Sequence, residues 1–556
     1  MEFTFTPTAT DWIRFTPELV MGAAALLVLL ADLVLPARSR AWLAAVALAG
    51  VAGAAVAIGY LLAAGDHGEA FYHMVTSDLT ALFASAVILA AGGLAIILSP
   101  AYIDRQGMVN QGEYYALLLL STAGMMLMAS ATNLMMVFVG LEVLSLSLYI
   151  LSAYIANRFQ SQEAGMKYFL LSSFASGFLL YGMALTYGAT GSTSLIGIRA
   201  FVRAHPVDFT SGYGPFLLAG FALMAVGFCF EVSGVPFHSW TPDVYVGAPT
   251  PITAFMSVGT KVAAFVALAR VFLFALAPLV NDWTPIFWAV AILSMIVGNV
   301  LAVTQTDVKR MLAYSSVAHA GYILVGIAAG GVAGVTGVLI YLAAYCVMNI
   351  GAFGVVLALE RAGGRGTTLT DYAGLARRHP ALAATMAICL FALAGVPPSG
   401  GFIGKWFVFS AAILNGHLDL AIIGVVASVF GMYYYLRVVW AMYFSEPALV
   451  VAPASVAPVA PVAVVPEPVA AGVAGVPTTV GGTMLASAGP AAATASSSTA
   501  TEPSARSADP ESGVATALTP AAVLALAFAV IATVALGIIP GPLFQFAQQA
   551  ASALLR

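Results

Sequence analysis

Runs of Ala, Leu, Val, Ile and Phe recur along this chain as long blocks, separated by short polar or basic stretches. A helix needs about 20 predominantly apolar residues to cross the hydrocarbon core of a bilayer. On that rule fourteen spans are predicted, over 15–35, 41–64, 77–99, 114–130, 133–155, 164–189, 214–236, 251–277, 284–304, 309–329, 333–359, 381–410, 418–444 and 517–540. Short alternating segments, the mark of a membrane barrel, are not the pattern here. In lipid every backbone N–H and C=O must be satisfied internally, so runs of this length mean a helical bundle. The expected fold class is an all-α polytopic membrane protein of about 14 transmembrane helices.

Two spans carry helix breakers. "SGVPFHSW" (233–240) and "AGVPPSGG" (394–401) each set Gly-Val-Pro in the middle of an apolar run, 161 residues apart. Proline removes a backbone donor and clashes with the preceding turn, so Pro236 and Pro397–Pro398 should interrupt their helices. Weaker echoes pair "TNL" (132–134) with "TDV" (306–308) and "SLYIL" (147–151) with "AGYIL" (320–324). An odd number of crossings reverses topology, so these echoes predict two inverted five-helix repeats with broken helices, a transporter pattern. The expected divisions are a three-helix segment over 1–113, repeats over 114–277 and 284–444, a loop over 445–516 and a last helix within 517–556. Residues 447–516 are Ala, Val, Pro, Ser and Thr with no aromatic side chain, which cannot build a packed core and should be a disordered loop.

Composition agrees with a membrane setting. Hydrophobic residues make up 61% of the 556 and charged residues 8%, where soluble domains carry about 25% charged. The net charge of −4 is spread thinly, and nothing points to nucleic acid. Cys229, Cys346 and Cys389 lie singly in apolar runs without metal or cluster spacing, and are expected as small buried side chains. The N-terminal stretch has acids and no basic leader, so a cleavable signal peptide is not expected. Loop charge orients the chain. With both termini outside the cytoplasm, inner loops hold Arg38, Arg40, Arg105, Arg158, Lys309, Arg310, Arg361, Arg365, Arg377, Arg378 and Arg506, eleven against Arg14, Arg199, Arg203 and Arg556 outside.

The charges inside the spans need reasons, since each costs at least about 2.5–3.5 kcal/mol near the bilayer centre. Asp32, Glu142, Lys167, Glu231, Lys261, Arg270, His319, Lys405 and Arg437 fall within apolar runs. Arg270 and Arg437 lie toward span ends, where an arginine snorkels or braces a neighbour. Asp32 is close enough to "PARSR" to pair with an arginine there, and Lys167 sits where an interfacial lysine would. His319 reads equally as a hydrogen-bonded core residue or as a proton carrier. Glu142, Lys261 and Lys405 lie deeper, and acids alternating with bases across successive spans resemble a proton relay. Next to Glu231, the Pro236 break would admit water and let the acid exchange protons.

Four stretches carry a resemblance: "SQEAGMKYFLLSSFASGFLLYGMALTYGATGST" (161–193), "VPFHSWTPDVYVGAPTPITAFMSVGTKVAAF" (235–265), "QTDVKRMLAYSSVAHAGY" (305–322) and "GVPPSGGFIGKW" (395–406). They closely resemble the subunit N family of the proton-pumping NADH:quinone oxidoreductase, respiratory complex I, over nearly the whole chain except 447–516. The resemblance implies an antiporter-like membrane-arm subunit in a bacterial cell inner membrane. It implies proton transport coupled to electron transfer from NADH to quinone on other subunits. NADH, flavin, iron–sulfur clusters and quinone would then belong to partner subunits and no cofactor to this chain. The partners implied are the sister antiporter-like subunits and the bilayer. A multi-subunit cation/proton antiporter or membrane-bound hydrogenase shares this fold and is the alternative. The family's functional glutamate and lysines correspond to Glu142, Lys167, Lys261 and Lys405, and with Glu231 and His319 they form the expected relay. One position departs: five residues before the first break's proline the family has a lysine, and this chain has Glu231.

Overall fold

The computed structural model describes residues 6–34, 41–108, 111–205, 207, 209–446 and 518–556. The 445–516 loop expected from composition lies almost wholly outside these residues, as do Arg38, Arg40 and Arg506. Thirteen helices among the described residues are long and apolar enough to span a membrane. They are α1 (Thr16–Val34), α2 (Ala41–Ala64), α3 (Leu79–Gln106), α4 (Gln111–Ser130), α5 (Leu134–Ser152), α6 (Phe159–Thr190), α7a (Gly214–Glu231), α8 (Thr250–Leu268), α9 (Val280–Thr304), α10 (Val308–Ala329), α11 (Gly331–Leu359), α13 (Leu418–Phe444) and α14 (Pro520–Ile538). The predicted span over 381–410 is two shorter helices, α12a (Pro380–Ala394) and α12b (Gly400–Leu414). The predicted span over 214–236 likewise stops at Glu231, and the chain resumes as α7b (Trp240–Gly247) beyond the proline. Both interruptions fall where Gly-Val-Pro stands.

Three of the short helices among the described residues, and one strand pair, are not visible in the hydropathy pattern. Ala9–Arg14, Leu195–Ala204 and Gly541–Leu555 are too short or too amphipathic to read as spans, and the hairpin pairs Glu69–Ala70 with Val75–Thr76. They gather at one end of the bundle. Trp12 packs edge-on against Phe71 of the hairpin with ring centroids 5.2 Å apart, and the Thr80 hydroxyl donates to the Ala550 carbonyl at 2.6 Å.

Helix pairs close tightly where glycines face each other. A Cβ on Gly182 of α6 would lie 2.6 Å from the Gly220 carbonyl oxygen of α7a, and one on Gly220 would lie 2.7 Å from Thr186 Oγ1. Small residues at such crossings bring backbones together, which dispersion rewards where lipid leaves no hydrophobic drive between helices. Helices α8, α10 and α11 are almost entirely enclosed by the others and form the centre of the bundle.

Polar bolts hold this centre. After α8 the chain continues as a π-helical turn, Ala269–Ala275. There Arg270 donates to the Asp78 carboxylate through both terminal nitrogens, at 2.8 and 2.7 Å, and through Nε to the Ala129 carbonyl at 2.8 Å. Arg437 donates to the Val303 carbonyl at 2.9 Å and to that of Gln305. Both arginines brace helix ends. At the far end of α11 the carboxylate of Glu360 is fully buried. It accepts from the Thr250 hydroxyl, from Tyr102 and Arg158 at 3.3 Å each, and faces Lys309 Nζ at 3.9 Å. Lys309 also donates to the carbonyls of Ala248 (2.8 Å) and Val246 (3.3 Å). One carboxylate thus joins α3, α8, α10 and α11 to the start of α6.

Removing one partner from a buried ion pair leaves an uncompensated charge, which costs about 3–5 kcal/mol. Glu360→Ala should therefore lower the thermal stability of the purified assembly sharply, or the yield of the chain within it. Adding Lys309→Met should recover part of that loss. Equal melting of the single and double variants would show that Glu360 carries no such weight.

Candidate functional site

Both half-helices end in the same way. In α7a, Ser233 takes a left-handed φ of 65°, and Gly234 N–H donates back to the Cys229 carbonyl at 2.7 Å. In α12a, Gly395 takes φ of 88°, and Val396 N–H donates back to the Phe391 carbonyl at 3.0 Å. This closure leaves the last carbonyls of each half-helix pointing into the protein, where the helix dipole concentrates negative charge. A cation is the natural answer, and at the second break Lys405 supplies it. From the second turn of α12b its Nζ donates to the Leu393 and Ala394 carbonyls at 3.0 and 2.9 Å and to Ser428 Oγ at 2.7 Å. The Tyr322 ring lies 4.9 Å from the same nitrogen.

The first break is answered differently. Trp240 Nε1 donates to the Phe230 carbonyl at 3.1 Å, and Val235 N–H to Ser294 Oγ of α9 at 2.8 Å. The final residue of α7a is itself an acid, Glu231, 2% exposed, with no protein partner for Oε1 among the described residues. A carboxylate at the carbonyl end of a helix meets like charge. The opposing charge comes from Lys261 of α8, fully buried, whose Nζ donates to Ser233 Oγ at 3.2 Å and which interacts electrostatically with Glu231. Glu142 of α5, half-buried, also lies within electrostatic reach of Glu231.

Tyrosines and a serine extend this cluster toward the second break. Tyr245 of α7b is within reach of Glu231 on one side and of Ser316 of α10 on the other, where Tyr345 of α11 also converges. The hydroxyls of Tyr245, Ser316 and Tyr345 are buried and none makes a hydrogen bond to the described residues. Buried polar atoms are nearly always satisfied by protein or ordered water. Three residues after Ser316 comes His319, 1% exposed, with Nδ1 2.8 Å from the Tyr341 hydroxyl and Nε2 3.1 Å from that of Tyr435. Lys261 and Lys405 both reach His319 electrostatically. Electrostatic reach thus links Glu142 to Glu231, Glu231 to Lys261, and both Lys261 and Lys405 to His319.

Lys167 stands apart from this line. On α6 it pairs with Glu163 at 2.7 Å and with Asp243 of α7b at 2.6 Å, its side chain 40% exposed, and Arg310 joins Asp243 from the other side at 3.1 Å. Asp32 sits in the last turn of α1, and the arginines expected beside it lie outside the described residues. Sequence reading did not single out Tyr245, Ser316, Tyr345, Tyr435 or Glu360. A tyrosine inside an apolar helix looks like core, and Glu360 closes a span where an interfacial acid is unremarkable.

Comparison with known proteins bears on this geometry. Residues 131–431, which contain both Glu142 and Lys261 and reach past Lys405, match the family described as NADH:quinone oxidoreductase/Mrp antiporter, transmembrane. NADH-quinone oxidoreductase subunit N of Trichlorobacter lovleyi is 46% identical over 77% of this chain and 86% of its own length. That of Paramagnetospirillum magneticum is 43% identical over 79% of this chain and 89% of its own. A chain of respiratory complex I from Thermus thermophilus superposes with a TM-score of 0.69 at 28% identity, covering 95% of this chain and 98% of that one. A chain of the Mrp complex from Dietzia shares the fold, with a TM-score of 0.76 at 21% identity over 99% and 98% of the two chains. The chain is a multi-pass membrane protein that belongs to the NADH:quinone oxidoreductase/Mrp antiporter family, among its NADH-quinone oxidoreductase subunit N members.

Proposed function

We propose that this chain moves protons across a bacterial inner membrane as a membrane-arm subunit of an NADH:quinone oxidoreductase, while other subunits carry electrons from NADH to quinone. The observation that carries the reading is the series of ionisable groups between the two helix breaks, each within electrostatic reach of the next. Carboxyl, ammonium, imidazole and phenol can each take up or release a proton, and charges at this depth are retained for a purpose. Glu142, Glu231, Lys261, His319 and Lys405 are the carriers, and Tyr245, Ser316 and Tyr345 with bound water connect them. The two Gly-Val-Pro breaks are read as equivalent points of two inverted halves. Lys167, held by Glu163 and Asp243, tunes the line from its edge.

Electron transfer is left to partners. The three cysteines are buried, free and on separate helices, and nothing in their placement supports a cluster site here. The membrane-arm partners are the sister antiporter-like subunits of the same complex. The basic loop excess supports a reading with both termini away from the cytoplasm. In keeping with this, the Ala9–Arg14 and Gly541–Leu555 helices share one end of the bundle with the hairpin.

Lys405→Ala and Lys261→Ala should leave the complex assembled, seen as comigration with NADH-oxidising activity on a native gel, and slow proton passage through this chain about 10²-fold. Loss of assembly with normal pumping in whatever assembles would favour a scaffold instead. Glu231→Gln keeps the size of the side chain but cannot release a proton. It should lower the protons moved per NADH oxidised in sealed vesicles, and an unchanged ratio would remove Glu231 from the relay.

A further inference from the structure

A second concentration of charge lies at the end of the bundle where α11 finishes, away from the line described above. Arg158 at the start of α6, Lys309 and Asp307 at the start of α10, and the loop that follows Glu360 enclose a cavity of about 480 Å³. The loop reads "RAGGRGTT" (361–368) and adds Arg361 and Arg365.

The carboxylates at this cavity are already engaged. Asp307 accepts from the Arg310 N–H at 2.8 Å and from the Thr367 hydroxyl. Asp371 accepts from the Thr368 N–H at 3.0 Å and from its hydroxyl. Glu360 is taken by Arg158, Lys309, Thr250 and Tyr102. The donors are not all engaged. Arg158, 12% exposed, has a buried Nε without a partner among the described residues, and the exposed guanidinium groups of Arg361 and Arg365 make no ion pair or hydrogen bond there.

The loop is shaped around Arg158. Gly364 takes φ of 75°, and a Cβ on it would lie 2.3 Å from both Cζ and Nη2 of Arg158, so only glycine lets the guanidinium lie against the loop. Phe159, the next residue, is 73% exposed on the apolar flank of α6, so the charged rim borders a hydrocarbon-facing surface.

We propose that this cavity binds an anionic phosphoryl group, and that its source is the headgroup of an acidic phospholipid. Guanidinium groups match phosphate oxygens with forked donors, and basic pockets between membrane helices at the interface hold acidic headgroups. Arg158 would supply the fixed donor, and Arg361 and Arg365 would close over the headgroup from the loop.

The test is hydrogen–deuterium exchange of the 360–374 peptide in the intact, delipidated complex. Mixed micelles carrying cardiolipin should slow exchange across the 361–368 loop, whereas phosphatidylcholine micelles should not. In an Arg361→Gln/Arg365→Gln variant the cardiolipin concentration needed for protection should rise about thirtyfold, because each basic residue at an anionic surface contributes on the order of a factor of five. An Arg361→Lys/Arg365→Lys variant should keep most of the protection. Protection by millimolar inorganic phosphate alone would support the phosphoryl site and assign its source to a free anion. Equal protection by phosphatidylcholine, or none by any of the three, would overturn the proposal.

Discussion

A helix that breaks inside a bilayer exposes carbonyls that no lipid can satisfy, and the interior of this protein is organised around how those carbonyls are answered. At the second break one ammonium does it: Lys405 reaches back from α12b to the last carbonyls of α12a and is held there by Ser428. The same contact that answers the break places a titratable cation in the interior of the bundle.

The first break answers the Phe230 carbonyl with the Trp240 indole N–H and adds a charge of the opposite sign. Its last helical residue is an acid, and the compensating cation, Lys261, comes from a neighbouring helix and donates to Ser233 inside the break. Glu231 and Lys261 then form a buried acid–base couple, with Glu142 as a second carboxylate nearby. Between the two breaks lie hydroxyls and one imidazole, groups that can pass a proton without carrying fixed charge. A line with charge at its ends and neutral hydrogen-bonding groups between them suits transport, because a proton is never asked to cross bare hydrocarbon.

Much of this was legible in the chain. The fourteen runs, the two Gly-Val-Pro interruptions and the depth of Lys261 and Lys405 follow from hydropathy and from what proline does to a helix. What stayed hidden depended on partners distant in sequence. Asp243, which holds Lys167 at the edge, lies 76 residues away in the short helix after the break. Tyr245 and Tyr345 converge on Ser316 from two different helices, and no local pattern distinguishes them from packed aromatics. Glu360 looked like the polar end of a span, yet four elements close over it. The acid at position 231 was plain to see, but its pairing with Lys261 needed the fold.

The central claim is that protons pass between the two breaks through the hydroxyl bridge. Tyr245→Phe/Tyr345→Phe keeps both rings and removes only the two hydroxyls, so packing and assembly should survive. Protons translocated per NADH oxidised, measured with the complex in sealed vesicles, should fall in this double variant while NADH oxidation by the uncoupled enzyme stays intact. An unchanged ratio would contradict the account and leave the two breaks as separate sites.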